Sequence, residues 1–114
     1  MSEFVEHLQD VFAYFGPVTA RRMFGGYGIY HDGLMFALVA DVTLYLKADA
    51  VAASHFEGEG LGNFTYTTER KVVKMSYYRA PERIMDDRHE AAIWARRSFE
   101  AALRAQRPKK KTKR

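Results

Sequence analysis

The most constraining feature of this 114-residue chain is a seven-residue apolar run, Leu34–Ala40, which follows the turn sequence His31-Asp32-Gly33. An Asp-Gly pair between two β-prone runs is a strong signal for a β-hairpin. A further turn at Ala40-Asp41-Val42 continues the pattern into another short run. The pattern predicts an antiparallel meander with extended segments at Thr19–Phe24, Gly26–Tyr30, Leu34–Ala40 and Thr43–Lys47.

Later in the chain, alternating aromatic and aliphatic residues predict a second hairpin. Its strands are Phe64–Thr67 and Val72–Tyr78, joined across Thr68-Glu69-Arg70. A loop rich in glycine, Gly58–Asn63, precedes it. We therefore expect a meander and a hairpin rather than a parallel sheet with long crossovers.

Apolar spacing and capping residues predict three helices around these strands. The first covers Phe4–Phe15, with Ser2 as its N-cap and Gly16-Pro17 as its stop. A short second helix begins at the capping residue Asp49, and a long last helix begins at Asp86 or Asp87. The predicted fold class is α+β, an antiparallel sheet with the N-terminal and C-terminal helices packed on one face.

Strand alternation assigns the side chains of the apolar run to two faces. Those expected to face the helices are Leu34, Phe36 and Leu38, and those expected to face away are Met35, Ala37 and Val39. The uncovered strip, beside Tyr45, predicts a homodimer that buries Met35, Val39 or Tyr45 between two chains.

The amino-acid composition indicates the cellular compartment of the protein. The chain has no cysteine, which excludes disulfides and thiolate metal sites and favours a reducing compartment. The N-terminus lacks the basic and apolar segments of a signal peptide, and no apolar run approaches the ~20 residues of a membrane span. We expect a cytoplasmic protein without a membrane partner.

The formal net charge of +4 is concentrated at the C-terminal end. Residues 1–100 hold 11 cations and 14 acids, whereas seven cations and no acid follow Ala101. These seven are Arg104, Arg107, Lys109, Lys110, Lys111, Lys113 and Arg114. We predict one domain over residues 1–106 and a disordered basic tail over residues 107–114, which could bind nucleic acid without reading sequence.

Motifs for catalysis or cofactor binding are missing from the sequence. The segment Gly25–Gly28 lacks the third glycine of a dinucleotide loop, where His31 stands, and we interpret it as strand geometry. The four histidines are widely spaced, which argues against a metal site, and no serine lies in a nucleophile elbow. We predict no enzyme activity, no cofactor and no metal. Aromatics beside cations on the strands leave stacking of single-stranded bases as an alternative.

A family resemblance runs along most of the chain. It is carried by Arg21–Tyr30 (RRMFGGYGIY), Gly33–Val39 (GLMFALV), Leu44–Asp49 (LYLKAD), Met75–Tyr78 (MSYY) and the helix around Trp94-Ala95. These segments resemble the N-terminal domain of the TfoX/Sxy competence regulators, here expected as a stand-alone domain. The first segment is the most specific of them.

The resemblance implies regulation rather than catalysis. TfoX/Sxy proteins are co-activators of competence genes that work with the cyclic-AMP receptor protein, and the family has no established catalytic residues. The leading hypothesis is a non-enzymatic protein-interaction module, similar to a transcription or competence regulator, with a partner in the transcription machinery. Its predicted interaction surface comprises Arg21, Arg22, Tyr27, Met35, Val39 and Tyr45. The alternative is a nucleic-acid-associated protein that binds through the basic tail.

Overall fold

The computed structural model describes residues 2–23, 25–67 and 69–106, which form one six-stranded antiparallel sheet with helices. The strands are β1 Thr19–Met23, β2 Gly26–His31, β3 Leu34–Ala40, β4 Thr43–Lys47, β5 Asn63–Thr67 and β6 Val72–Arg79. The helices are α1 Glu3–Val11, α2 Ala50–Glu57 and α3 Arg88–Gln106, with a 3-10 helix at Glu82–Asp86. The strand order is β1-β2-β3-β4-β6-β5. The predicted α+β fold is confirmed; Phe24, Thr68 and the tail at 107–114 lie outside the described residues.

Side-chain caps fix where the three helices begin. The Ser2 hydroxyl accepts the Val5 N–H at 3.2 Å, and the Asp49 carboxylate accepts the Ala52 N–H at 3.0 Å. Asp87 accepts two N–H groups of the first turn of α3. These bonds satisfy N–H groups that have no partner within the helix. All three caps fall at residues that the sequence predicts.

Helix α1 is shorter than predicted, because it ends at Val11 instead of Phe15. Tight turns follow, in which the N–H groups of Phe15 and Gly16 both donate to the Phe12 carbonyl. They bring the Phe15 ring to 5.2 Å from the ring of Phe36 on β3. The lost helical turn is thus replaced by aromatic packing against the sheet.

One face of the sheet carries the hydrophobic core and is covered by the helices; we call it the covered face. A row of paired residues crosses it, running Ile29, Ala37, Leu46 and Tyr78 from β2 to β6. Helix α3 packs across β3 and β4, and Phe12 and Phe56 bring α1 and α2 into the same core.

A β-bulge at Phe36 changes which side chains of β3 face the helices. Tyr30 pairs with Met35 and Ile29 pairs with Ala37, so Phe36 is an extra residue on its strand. Ala37 and Val39 therefore belong to the core, whereas Leu38 faces away from it. The alternation predicted beyond Phe36 is wrong, because a bulge reverses the phase of every later residue in the strand. Met35, which precedes the bulge, faces away from the helices as predicted.

None of the helices in the described residues is both long enough and apolar enough to cross a lipid bilayer.

Candidate interaction surface

None of the described helices packs against the second face of the sheet; we call it the open face. A row of paired residues crosses five strands on this side. It runs Arg21, Gly28, Leu38, Tyr45 and Arg79, from β1 to β6. The row is cationic at both ends and apolar between them.

An apolar hollow of about 170 Å³ lies on the open face. It is lined by Met23, Gly26, Tyr27, Leu38, Val39, Ala40, Phe64 and Met75. Met23 is on β1 and Phe64 is on β5, the two edge strands of the sheet. In a flat six-stranded sheet these edges would be about 24 Å apart at ~4.8 Å per strand. The sheet therefore curls toward the open face and makes it concave.

Two glycines allow the strands to approach closely beside the hollow. A Cβ at Gly26 would lie 2.1 Å from the Val39 carbonyl oxygen, a distance that backbone atoms cannot accommodate. A Cβ at Gly28 would meet the sulfurs of Met23 and Met35, at 2.8 and 3.0 Å. The segment Gly25–Gly28 thus serves strand packing, and Gly28 gives the two thioethers their space above the sheet.

Apolar side chains on the open face are buried without help from the helices. Leu38 is 6% exposed and Tyr77 is 7% exposed, yet neither belongs to the core cluster. The rings of Tyr45 and Phe64, 4.8 Å apart, extend the same apolar surface. Burial raises the pKa of Tyr77 to about 12, because a phenolate is poorly solvated there. The Tyr77 hydroxyl is therefore poorly hydrated in the folded protein.

Charges on the strands are all of one sign. The strands carry Arg21, Arg22, Lys47, Lys74 and Arg79, and no Asp or Glu. The Arg21 guanidinium lies 5.0 Å from the Tyr30 ring centroid, and the Lys47 ammonium lies 5.3 Å from that of Tyr77. Lys47 also donates to the Ser76 hydroxyl at 2.8 Å. These contacts place cations beside aromatic rings at the border of the apolar surface.

The structure divides the six predicted interaction residues between the two faces. Arg21, Met35 and Tyr45 lie on the open face. The other three, Arg22, Tyr27 and Val39, have side chains on the covered face. The Arg22 guanidinium lies 5.9 Å from the ring of its cross-strand partner Tyr27, and Val39 belongs to the core. Strand alternation thus directs these three side chains to the side opposite Arg21, Met35 and Tyr45, although Tyr27 and Val39 also border the hollow.

Of the predicted nucleic-acid residues, Arg104 is the one within the described part of the chain. Its guanidinium donates to both carboxylate oxygens of Asp49, at 2.6 and 3.0 Å. This hydrogen bonding lowers the pKa of Asp49 to about 2. The pair ties α3 to the capping residue of α2, and this gives Arg104 a structural role. The remaining predicted residues, Arg107, Lys109, Lys110, Lys111, Lys113 and Arg114, lie outside the described residues.

A polar cluster on the helical side of the molecule satisfies its own charges. Arg83 donates to both carboxylate oxygens of Glu59 at 2.8 Å and to Glu90 at 3.2 Å, and Glu90 also accepts from the indole of Trp94. Bidentate pairing of this kind fixes the 3-10 helix to its neighbours. Among the residues described, no three His, Asp or Glu side chains are arranged to hold a metal ion.

Sequence reasoning missed most of the residues that line the hollow. Met75 and Tyr77 alternate on β6, so their shared face could have been recognised from their spacing. The bulge places Leu38 on the face opposite to the one that simple alternation predicts. Met23 and Phe64 line the same hollow because the sheet curls.

Comparison with known proteins agrees with this structure. The model of the TfoX N-terminal domain family matches residues 10–102. The DNA transformation protein TfoX1 of Aliivibrio fischeri is 29% identical over 82 residues, which cover 68% of this chain and 39% of that protein. Protein Sxy of Escherichia coli is 29% identical over 96 residues, covering 84% of this chain and 46% of Sxy. The chain thus matches less than half of each relative, and it belongs to the TfoX N-terminal domain family.

Proposed function

We propose that this chain is a non-catalytic interaction module with a role like that of a competence regulator, and that its open face contacts a partner in the transcription machinery. The observation that carries the proposal is the apolar hollow on a concave sheet face that α1, α2 and α3 leave uncovered over their described residues. Apolar patches of this kind on soluble proteins usually mark interaction sites.

The chemistry of the open face also favours binding over catalysis. Two of its cations, Arg21 and Lys47, lie beside aromatic rings, and among the described strand residues no carboxylate accompanies them as a base. Catalysis by an activated nucleophile requires a base and an orienting group at hydrogen-bond distance from it. Ser76 is exposed, and the described hydrogen bond of its hydroxyl is with Lys47, not with a histidine or a carboxylate.

The family supplies the biological context of the proposal. One of the relatives is named a DNA transformation protein. Because the similarity covers less than half of each relative, the activity of the whole relative reaches this chain as part of the proposal. We infer that the module affects transcription of genes for DNA uptake through a protein partner, in the cytoplasm.

Gene replacement in the source organism tests this function. Deletion of the gene should lower transformation frequency and competence-gene transcripts, and the wild-type gene should restore both. Tyr45→Asp, which places a charge on the open face, should fail to restore them. Val51→Asp is the matched control, because Val51 is 66% exposed on α2 at the helical side.

Circular dichroism and thermal melting of both purified variants establish that they are folded. A deletion that leaves transformation and transcripts unchanged contradicts the regulatory role. Full restoration by a folded Tyr45→Asp variant would instead show that the open face is not the contact surface.

A further inference from the structure

We propose that the open face binds an acidic peptide segment of the partner, with one bulky apolar side chain in the hollow and a carboxylate on either side of it. This inference rests on the proposed function and names the chemistry of its partner. Three arguments support it. They are the charge pattern of the cross-strand row, the apolar lining of the hollow, and the repulsion between like charges that a contact between two copies of this chain would create.

The row from Arg21 to Arg79 fixes the charge pattern of the ligand. Their strands, β1 and β6, are four strand spacings apart, an arc of about 19 Å along the curved sheet at ~4.8 Å per spacing. Gly28, Leu38 and Tyr45 fill the space between them without a charge. An extended peptide rises ~3.3 Å per residue, so acids at most about six residues apart would reach both ends of the concave row.

Both end cations are available to an incoming carboxylate. Arg21 is exposed, and its guanidinium lies over the Tyr30 ring at 5.0 Å from the centroid, where a ligand can reach it from solvent. Arg79 has one exposed ion pair, with Glu82 at 3.9 Å, and such surface pairs contribute little. A peptide carboxylate can therefore exchange with Glu82 at small cost, and Arg–carboxylate contacts provide geometric specificity.

The hollow fits an apolar side chain better than a nucleobase. A closed apolar cavity of ~150 Å³ is large enough to hold a benzene ring, and this hollow has a volume of about 170 Å³. Met23 and Met75 contribute thioethers, which adapt their shape to different apolar partners. A base inserted here would leave its polar edge unsatisfied, which is unfavourable in an apolar site.

The charge pattern also disfavours a second copy of this chain as the occupant. A two-fold contact brings the same surface of both chains together. It would bring together two copies of the open-face cations Arg21, Lys47 and Arg79 without a strand carboxylate to neutralise them. The homodimer predicted from the sequence stays a prediction, and it is one outcome of the following test.

The probe is a phage-displayed library of random peptides about 12 residues long, enough to span the row when extended. The library is selected against the full chain. We expect enriched peptides to contain an aromatic or large aliphatic residue between acidic residues. A synthetic peptide with the enriched sequence should bind about tenfold more weakly to Arg21→Glu and to Arg79→Glu, and more weakly as salt is raised.

Two further variants separate the charges from the hollow. Ala40→Leu fills the hollow and should reduce binding even though both arginines remain. Arg96→Glu, an exposed cation on α3, is the matched control and should leave binding within about twofold, because long-range charge effects are screened by salt.

The same chain is also tested against a single-stranded oligothymidine and by sedimentation. The proposal is overturned if no peptide is enriched, if the enriched peptides lack acids, or if binding survives Arg21→Glu and Arg79→Glu. Tighter binding of the oligothymidine, or a dimer that Tyr45→Asp dissociates, would assign the face to nucleic acid or to a second copy. Each of these results leaves the gene-replacement test of the proposed function unaffected.

Discussion

Both faces of the sheet carry buried apolar side chains, but different parts of the molecule bury them. On the covered face, Phe36 and Leu46 are fully buried by side chains from α1, α2 and α3. On the open face, Leu38 and Tyr77 reach nearly the same burial through neighbours on the sheet itself. Folding explains the apolar character of the first face, since it forms the core. The second face keeps its apolar side chains although no helix covers them.

The two faces also differ in whether their charged groups have partners of opposite sign nearby. The covered side is bordered by carboxylates and guanidinium groups that pair with each other, such as Asp49 with Arg104. The strands of the open side provide cations without a matching acid on any strand. Arg79 has an exposed ion pair with Glu82, outside the strands, and a surface whose strands carry only cations is suited to a partner of the opposite charge.

The sharpest test of this comparison replaces one leucine on each face. Leu46→Ala should reduce the free energy of unfolding by ~2–5 kcal/mol, because it leaves a closed cavity in the core. Leu38→Ala should cost less, ~1–2 kcal/mol, because the space it vacates joins the hollow and stays open to water. Urea unfolding of both variants measures the difference. Equal losses would show that the open face is a second core.

Glycine substitutions sharpen the comparison at the hollow. Gly26→Ala should cost ~1–3 kcal/mol, because the new methyl meets a backbone carbonyl that cannot move aside. Gly28→Ala should cost less, since the atoms it meets are the ends of flexible methionine side chains. Thermal melting with a common buffer ranks the two variants. If Gly28→Ala is the more destabilising one, the Met23 and Met35 side chains are held rigidly.

Local signals allowed most of the fold to be predicted from the sequence. Asp32 and Gly33 both have positive φ, at 51° and 76°, as expected for the tight hairpin turn that an Asp-Gly pair favours. Ser2 and Asp49 cap helices because their short polar side chains reach the free N–H groups. These features depend on residues within a few positions of each other, so spacing alone identifies them.

The candidate surface depends on long-range features that spacing does not encode. Nothing in the local sequence around Phe36 indicates that it forms a bulge. The pairing of Ile29 with Ala37 on the neighbouring strand decides which face Leu38 occupies. Met23 and Phe64 are 41 positions apart in the chain and border one hollow because the sheet curls. Of the predicted surface, three residues lie on the open face as simple strand alternation predicts: Arg21, Met35 and Tyr45. None of the three follows the bulge on its own strand.

Two adjacent tyrosines on β6 provide the finest test, because they face opposite sides of the sheet. Tyr77 lies on the open face, where burial raises its pKa to about 12. Tyr78 lies in the core, where a hydrogen bond to the Glu57 carboxylate at 2.9 Å raises its pKa. The two shifts have different causes, so different substitutions should remove them.

A spectrophotometric titration of the folded protein should show a tyrosine with a pKa near 12 that is missing in Tyr77→Phe. The folded-state pKa is above the ordinary value of 10.0, so the stabilisation is complete below pH 10 and is lost as the pH rises toward 12. Urea unfolding at pH 9, 10 and 11 should therefore show a steeper loss for wild type than for Tyr77→Phe. Glu57→Gln should lower the pKa of Tyr78 and leave that of Tyr77 unchanged. If Tyr77 titrates near 10 in the unbound protein, water reaches its hydroxyl, and the open face is wetter than its apolar lining indicates.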